Sequence, residues 1–357
     1  MIPANPSAPS GRGDPAPTAG TVGPPASGEP ELPSGCLLDG RFRIRETVGH
    51  SGMATIYRAE DAADGERTVA VKVPRVKTER DPASFGRFLR EETIGNKFDH
   101  PQLVHFRPAP PGRNRPYLVM EFLAGRTLAQ VLDESRPLPE AEALRIASGI
   151  CSALGHMHAH GVVHCDLKPS NIMIGDDHMV RLFDFGLASA PVSAPGLLAS
   201  LLPIFGTPEY MAPEQVGKGV ADPRTDVYSV GAVLYELLTG EAPFRRDDPW
   251  DSAYARMTGD PIAPRVLNPR ISAQAEEIVL HALQRHPEER YPTVAAFQAE
   301  LDAPARVRIT GYCDRLRPPR LRLSLRGTPI LAGLLLGLAT ILALVGLFLA
   351  LRHTLSR

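Results

Sequence analysis

The segment that decides the fold reads His164-Cys165-Asp166-Leu167-Lys168-Pro169-Ser170-Asn171, and Asp184-Phe185-Gly186 follows a short distance along the chain. It combines a carboxylate that can accept a proton, a cation, an amide ligand and a second carboxylate. None of these residues is informative alone. Together and in this order, they suit the transfer of a phosphoryl group from a nucleotide held through magnesium.

A second motif lies downstream and reads Gly206-Thr207-Pro208-Glu209-Tyr210-Met211-Ala212-Pro213-Glu214. With it, the chain resembles the serine/threonine protein kinases, in particular the eukaryotic-like, membrane-bound kinases of bacteria, over roughly residues 42–301. The resemblance implies an α+β, two-lobed protein kinase fold, with a small β-rich N-lobe and a larger helical C-lobe, at residues 39–303. It also implies ATP and Mg²⁺ as cofactors and protein hydroxyls as substrates.

The run Val48-Gly49-His50-Ser51-Gly52-Met53-Ala54-Thr55-Ile56-Tyr57 resembles the family's glycine-rich loop, whose backbone amides approach the nucleotide phosphates. Glycine is favoured there because a Cβ would hold the backbone away from the anion. The match is imperfect, since the family's second and third glycines are Ser51 and Ala54 here. The resemblance implies nucleotide contacts at Val48, Gly49, Gly52 and Ile56. Taken alone, the run is equally compatible with a plain hairpin.

A β-rich run at residues 69–73 predicts a strand that is buried on one face and directs Lys72 toward the nucleotide. A lone lysine at the end of a strand is usually a solvated charge. Here the resemblance supplies a partner for it on the next helix and implies that the lysine contacts the α- and β-phosphates.

That helix is expected at residues 85–98, where apolar positions recur with helical spacing. The resemblance assigns Glu91 as the ion-pair partner of Lys72. Glu92 is the rival candidate, but the spacing to the downstream His-Pro pair favours Glu91. Gly95, one turn after Glu91, is unusual at a packing position and predicts a mobile helix.

Residues 117–123 form an apolar strand that leads into a polar turn. The resemblance makes Met120 the gatekeeper of the nucleotide pocket and Ala70 a further nucleotide contact. The backbones of Glu121 and Leu123 would hydrogen-bond adenine. Alternatively, the segment is simply a strand of the core. A core strand can also line a nucleotide pocket, so the two interpretations are compatible.

The resemblance also assigns the chemistry. Asp166 orients the substrate hydroxyl and accepts its proton, and Lys168 neutralises charge on the γ-phosphate. Asn171 and Asp184 supply the oxygen ligands that a hard cation such as Mg²⁺ requires. Lys168 together with Thr207, in the segment that contacts the substrate, is typical of kinases that act on serine and threonine.

Other residues of the motifs are expected to be architectural. His164 is interpreted as a histidine packed under the catalytic loop rather than as a catalyst or a ligand. Asp226, at the start of an apolar helix at 227–238, is expected to anchor the backbone of that loop. Glu214 and Arg290 resemble the buried ion pair that braces the larger lobe.

Cys165 is the clearest departure from the family, because most relatives have an arginine there that binds a phosphate on the activation segment. A thiol carries no positive charge, so the chain resembles a non-RD kinase whose phosphate switch is absent or rebuilt. The composition of residues 188–205 also indicates a missing phosphate switch, since they are mostly Ala, Pro, Ser and Leu and include no threonine. We expect an inert thiol rather than a redox sensor, because the adjacent Asp166 disfavours the thiolate.

The chain has 357 residues, enough for one large domain plus extensions. Its four cysteines show no regular spacing, which indicates a reducing compartment and no disulfide framework. The formal net charge is -1, and we expect no nucleic-acid partner.

Residues 1–38 form a tail rich in proline, glycine and alanine, which cannot bury enough apolar surface to fold and lacks the apolar stretch of a signal peptide.

The C-terminal part predicts one transmembrane helix at residues 330–351, which carry no charge. At about 1.5 Å per residue this stretch spans about 33 Å, enough to cross a bilayer core. Seven arginines lie between positions 306 and 326, in the linker at 304–329, whereas two follow the helix. Because positive residues stay on the cytoplasmic side, we expect a single-pass protein of the bacterial inner membrane, with the catalytic domain in the cytoplasm and residues 352–357 outside.

Gly333 and Gly337 lie within this apolar stretch and form a G-x-x-x-G pair. Such a pair allows two helices to approach closely in lipid, which would produce a homodimer. Glycines at this spacing are also common by chance in apolar helices, so the pair is equally compatible with a monomer.

Two alternatives to a protein kinase remain open. The chain could be a pseudokinase that binds nucleotide and partners as a scaffold, but the intact set of catalytic residues argues against it. It could instead phosphorylate a small molecule, but the motif at 206–214 is typical of kinases that act on proteins.

Overall fold

The computed structural model of the protein describes residues 31–188, 208–217, 221–246 and 248–317. Several predictions lie outside the described residues. They concern the N-terminal tail up to residue 30, the segment at 189–205, Thr207, the transmembrane helix at 330–351 with its pair Gly333 and Gly337, and residues 352–357. Among the residues that are described, no helix combines the length and the apolar character needed to cross a bilayer.

The N-terminal lobe is built on a six-stranded antiparallel sheet. Its strands are β1 (Leu37–Leu38), β2 (Phe42–His50), β3 (Ala54–Asp61), β4 (Arg67–Pro74), β5 (Phe106–Arg107) and β6 (Leu118–Glu121). They are ordered β1-β2-β3-β4-β6-β5 across the sheet. The sheet therefore begins two residues before residue 39, the domain boundary expected from the sequence.

Two helices follow β4, α1 (Val76–Arg80) and α2 (Pro82–Gly95). Asp81 begins α2 by accepting a hydrogen bond from the Ser84 amide at 3.0 Å, and Pro82 occupies the first turn, where its missing N–H is not needed. The helix expected at 85–98 is thus present but lies three residues earlier at both ends. The Asp-Pro start signal outweighs the apolar periodicity at one end, and the chain turns after Gly95 at the other.

Strand β4 sorts its side chains between two faces of the sheet. Val69, Val71 and Val73 pack in a core on one face. Since successive side chains of a strand point to opposite faces, Ala70 and Lys72 lie on the other face, toward α2. Alternation along one strand therefore brings a lysine into a buried position beside a helix.

The C-terminal lobe is mostly helical. Its helices are α3 (Leu128–Glu134), α4 (Glu140–Ala159), α5 (Pro213–Gly217), α6 (Pro223–Thr239), α7 (Pro249–Thr258), α8 (Pro264–Leu267), α9 (Ala273–Ala282) and α10 (Val294–Asp302). Helix α6 is buried along most of its length and packs against α4, α9 and α10. It begins four residues before the expected start at 227, because Asp222 and Thr225 form a capping box.

A small antiparallel sheet in the C-terminal lobe contains β7 (Gly125–Thr127), β8 (Ile172–Gly175) and β9 (Val180–Leu182). Ile172 at the start of β8 pairs with Leu182 at the end of β9. The residues just before β8 and just after β9 must therefore lie together, and the Phe183 amide donates to the Asn171 carbonyl at 3.1 Å. This hairpin brings Asn171 and Asp184, which flank its two ends, to one place.

The chain after α10 packs back onto the C-terminal lobe. Glu277 on α9 is buried, and its carboxylate accepts hydrogen bonds from the Thr310 amide at 2.6 Å and the Tyr312 amide at 3.3 Å. The Arg317 amide donates to the Asp260 carboxylate at 2.8 Å. The packed domain thus extends past residue 303, the boundary expected from the sequence.

Candidate active site

A buried lysine lies between two carboxylates where β4 meets α2. The Nζ atom of Lys72 lies 2.8 and 2.7 Å from Oε1 and Oε2 of Glu91, and 3.3 Å from Oδ1 of Asp184. Glu92 pairs instead with Arg113, at 2.8 Å. The predicted ion pair between Lys72 and Glu91 is therefore present, and the rival residue has a different partner.

Burial controls the electrostatics of this cluster, because Lys72 is 3% exposed and Glu91 is 1% exposed. Burial alone lowers the pKa of Lys72, but the facing carboxylates of Asp184 and Glu91 outweigh it, and the net shift is upward. Burial raises the pKa of Glu91 to about 7, against the opposing effect of Lys72. The lysine therefore keeps its positive charge deep in the cleft.

Three residues of the catalytic loop meet just before β8. Lys168 Nζ donates to Oδ2 of Asp166 at 2.7 Å. The Asn171 amide nitrogen donates to the Asp166 carbonyl at 2.9 Å and to Asp166 Oδ2 at 3.1 Å. Two donors thus fix the orientation of one carboxylate.

Two aspartates of the site, Asp166 and Asp184, differ in their electrostatic surroundings. Burial raises the pKa of Asp166 above its ordinary value, although Lys168 opposes the shift. Burial also acts on Asp184, but the cations of Lys72 and Lys168 outweigh it and lower the pKa of that carboxyl. Asp166 is therefore the more basic of the two, and Asp184 is the more firmly anionic.

Asp226, in the first turn of α6, fixes the backbone of the catalytic loop. Its carboxylate accepts hydrogen bonds from the amides of His164 at 2.9 Å and Cys165 at 3.0 Å, and it contacts His158 Nε2 at 2.8 Å. Cys165 has a φ of 65°, which is uncommon for a residue other than glycine and needs such support. The predicted anchoring role of Asp226 is confirmed.

The other architectural predictions are confirmed as well. His164 is fully buried, and its ring centroid lies 6.0 Å from that of Phe185. Burial lowers the pKa of His164 and so favours the neutral form of the ring. Arg290 contacts Glu214 at 2.7 Å with its side chain fully buried.

The residues predicted to contact nucleotide lie on or next to neighbouring strands. Gly49 pairs with Ile56 between β2 and β3, and Ala70 pairs with Met120 between β4 and β6. The remaining members, on or beside these strands, are Val48, Gly52, Glu121 and Leu123. The sheet thus gathers these positions on or beside the four consecutive strands β2, β3, β4 and β6, which include the strand of Lys72.

Ser51 closes the turn between β2 and β3. Its hydroxyl oxygen accepts hydrogen bonds from the amides of Met53 at 3.3 Å and Ala54 at 3.0 Å. The sequence shows the replacement of a family glycine, but this role was not predicted from it. The available signal was the tendency of serine to bond backbone groups two or three residues ahead.

Residues 42–301 match the model of the protein kinase domain. The chain belongs to the protein kinase family. The serine/threonine-protein kinase PknB of Mycobacterium tuberculosis is 37% identical over 268 residues, which cover 74% of this chain and 43% of that protein. A probable serine/threonine-protein kinase of Streptomyces coelicolor is 36% identical over 272 residues, 74% of this chain and 40% of the relative. The chain thus spans less than half the length of these relatives.

Within this kinase domain, position 165 supplies no cation. The Cys165 side chain is 2% exposed, and its sulfur lies 3.6 Å from the Val163 carbonyl oxygen. The Cys165 carbonyl accepts a hydrogen bond from Gln215 at 2.9 Å, which ties the catalytic loop to α5. The surroundings are those of a packed side chain.

The donor set of the site suits a hard cation such as Mg²⁺. Asn171 uses its amide nitrogen for Asp166, and its amide oxygen makes no hydrogen bond to a described residue. Asp184 adds an anionic carboxylate. In the described part of the chain, no three His, Cys, Asp or Glu side chains cluster as a metal site.

Proposed function

We propose that the chain is a serine/threonine protein kinase that transfers the γ-phosphate of ATP to protein hydroxyl groups. The observation that carries this proposal is the position of Lys72 between Glu91 and Asp184. Family membership and the names of the relatives support the reaction class. The motif residues Lys168 and Thr207 support serine and threonine as acceptors.

The residues around the lysine bind and orient the nucleotide. Lys72, held by Glu91, pairs with the α- and β-phosphates, and Asn171 and Asp184 would hold Mg²⁺. Bound magnesium neutralises charge on the phosphate oxygens and favours in-line displacement. The adenine would lie beside the predicted nucleotide contacts, which are Val48, Gly49, Gly52, Ile56, Ala70, Met120, Glu121 and Leu123.

Asp166 orients the acceptor hydroxyl and receives its proton as the new O–P bond forms and the bond to the ADP oxygen breaks. The opposite pKa shifts of the two carboxylates support this division of roles. A raised pKa suits Asp166 as the proton acceptor, and a lowered pKa suits Asp184 as an ion ligand. Lys168, which contacts Asp166, would neutralise charge on the transferred group.

A pseudokinase that binds nucleotide without transferring phosphate is the alternative. Such a scaffold has no need for an ordered proton acceptor, yet two donors orient the Asp166 carboxylate. We therefore favour catalysis over scaffolding.

Replacing the cleft residues one at a time tests the proposal. Lys72→Met, Asp166→Asn and Asp184→Asn should each lower kcat/KM for a peptide substrate by at least about 100-fold, since these groups act on one transition state. Asp166→Asn and Asp184→Asn are isosteric and should change the melting temperature little. Lys72→Met should also stay folded, because Glu91 can take up a proton once its partner is gone. Lys97→Met, an exposed lysine just after α2, is the matched control and should behave as wild type. Wild-type transfer by a folded Asp184→Asn protein would refute the assignment.

We also propose that activity does not depend on a phosphate bound at position 165, since Cys165 has no charge to bind it. Phosphatase-treated enzyme and a variant with Ser189, Ser193 and Ser200 replaced by alanine should keep their peptide kinase activity. A loss of about tenfold or more on dephosphorylation would show that another cation has taken over the switch.

A membrane anchor at residues 330–351 is the last part of the proposal, with the kinase domain in the cytoplasm, where ATP and magnesium are available. Its support is the uncharged stretch and the seven preceding arginines. Deleting residues 330–357 should move the protein from the membrane fraction to the soluble fraction with kinase activity retained. A C-terminal reporter that fluoresces only in the cytoplasm should give no signal, because the C-terminus is expected outside. Bright fluorescence of this reporter would contradict the orientation.

A further inference from the structure

The short helix α1 is tied to the turn between β2 and β3. The Thr78 hydroxyl donates a hydrogen bond to the Met53 carbonyl at 2.7 Å. The Arg75 amide donates to the same carbonyl oxygen at 2.9 Å, which continues the pairing of β3 with β4 by one step. The Met53 carbonyl therefore has two donors, one from the backbone and one from a side chain 25 residues further along the chain.

The partner of the Thr78 hydroxyl lies outside its own helix. A threonine in a helix can bond the carbonyl three or four residues earlier. Here those carbonyls have other donors, since the Arg75 carbonyl accepts from the Thr78 amide at 2.9 Å and the Pro74 carbonyl accepts from Arg115 at 3.0 Å. Thr78 is 3% exposed, so its hydroxyl has to be satisfied inside the protein, and the turn provides the acceptor.

Helix α1 is itself fixed to the end of β4. Arg115 Nη2 donates both to the Pro74 carbonyl and to Oε1 of Glu79 on α1, the second at 2.8 Å. A helix of five residues has little stability of its own, so contacts of this kind hold it in place. Thr78 therefore extends toward the turn from a support that is anchored to the sheet.

Met53, the residue that Thr78 holds, also reaches the charged cluster around Lys72. A Cβ atom built on Gly186 would lie 3.4 Å from Asp184 Oδ1, 3.7 Å from the terminal methyl carbon of Met53 and 3.8 Å from Glu91 Oε2. The methyl group and the two carboxylates thus surround one point in the cleft. The position of the Met53 backbone is therefore linked to the part of the site that would face the phosphates.

We propose that Thr78 is a positioning residue for the nucleotide, whose hydroxyl holds the turn at residues 50–53 over the phosphate groups of ATP. The inference rests on the proposed kinase activity and on the proposed nucleotide contacts at Gly49 and Gly52. Gly52 is exposed, and a Cβ there would meet no described atom within 4 Å. The hydrogen bonds to Met53, the next residue, therefore set how closely the turn approaches the phosphates.

Thr78→Val tests this inference in the whole chain, because it removes the hydroxyl and keeps the shape of the side chain. The Met53 carbonyl keeps the Arg75 amide as a donor, so the variant should fold. KM for ATP should rise about three- to tenfold, as expected for the loss of one neutral hydrogen bond. The values of kcat and of KM for the peptide should stay within about twofold of wild type.

Thr93→Val on α2 is the matched control. The Thr93 hydroxyl donates to the Leu89 carbonyl of the same helix at 3.3 Å and is exposed. This variant makes the same chemical change on a neighbouring helix and should keep the wild-type KM for ATP. An equal rise in KM for Thr93→Val and Thr78→Val would overturn the inference.

Thr78→Ser and Thr78→Ala separate the hydroxyl from the packing, and they decide the question even if Thr78→Val does not fold. Relative to threonine both variants lose the same methyl group, and only serine keeps the hydroxyl. Thr78→Ser should keep a KM for ATP near that of wild type, whereas Thr78→Ala should show the increase. A wild-type KM in Thr78→Ala, or equal increases in the two variants, would overturn the inference.

Hydrogen exchange in the turn separates this inference from the proposed activity. If the wild-type protein transferred no phosphate, the kinase proposal would fail, but the amides of residues 51–54 would still report how firmly the turn is held. Exchange there should be faster in Thr78→Ala than in wild type and unchanged in Thr78→Ser. Equal exchange in the three proteins would show that the hydroxyl does not hold the turn.

Discussion

The ammonium group of Lys72, held between the carboxylates of Glu91 and Asp184, is the interaction on which the rest of the site depends. It joins β4 and α2 to the segment that follows β9, which lies more than one hundred residues further along the chain. Burying three charged groups is unfavourable unless they satisfy one another, and such clusters contribute little net stability. The arrangement is therefore better explained by what it does to a bound phosphate than by what it adds to folding.

Three backbone arrangements place the charged side chains of the site together. Alternation along β4 places Lys72 on the face toward α2, and the pairing of β8 with β9 brings Asp184 beside Asn171. Asp226 holds the catalytic loop in a conformation in which the backbone of Cys165 lies in the left-handed region. Each arrangement fixes the backbone, and the backbone then sets the positions of the side chains of the site.

Much of this could be predicted from the sequence, because the motifs are short and chemically specific. The family resemblance, together with the spacing to the downstream His-Pro pair, favoured Glu91 over Glu92 as the partner of the lysine. The bounds of α2 were less predictable, since the Asp81-Pro82 start signal outweighed the apolar periodicity. The contacts of residues 304–317 with the C-terminal lobe were not predictable, because they carry no local signal in the sequence.

Contacts between distant residues account for the rest of what the sequence did not reveal. From the sequence, Gly95 predicts a mobile helix. The sequence does not show that the Phe106 ring fills the space beside this glycine. Ser51 reads as a lost glycine, although its hydroxyl closes the turn. In both cases one small residue is explained by a neighbour that only the fold identifies.

The phosphoryl-transfer rate of Glu91→Gln beside that of Glu92→Gln tests the central claim most directly. The two substitutions are isosteric, lie next to each other on one helix and each remove one negative charge. The account predicts a loss in kcat/KM of at least about 100-fold for Glu91→Gln and less than about threefold for Glu92→Gln. Equal losses in the two variants, or a Glu91→Gln enzyme as active as wild type, would contradict it.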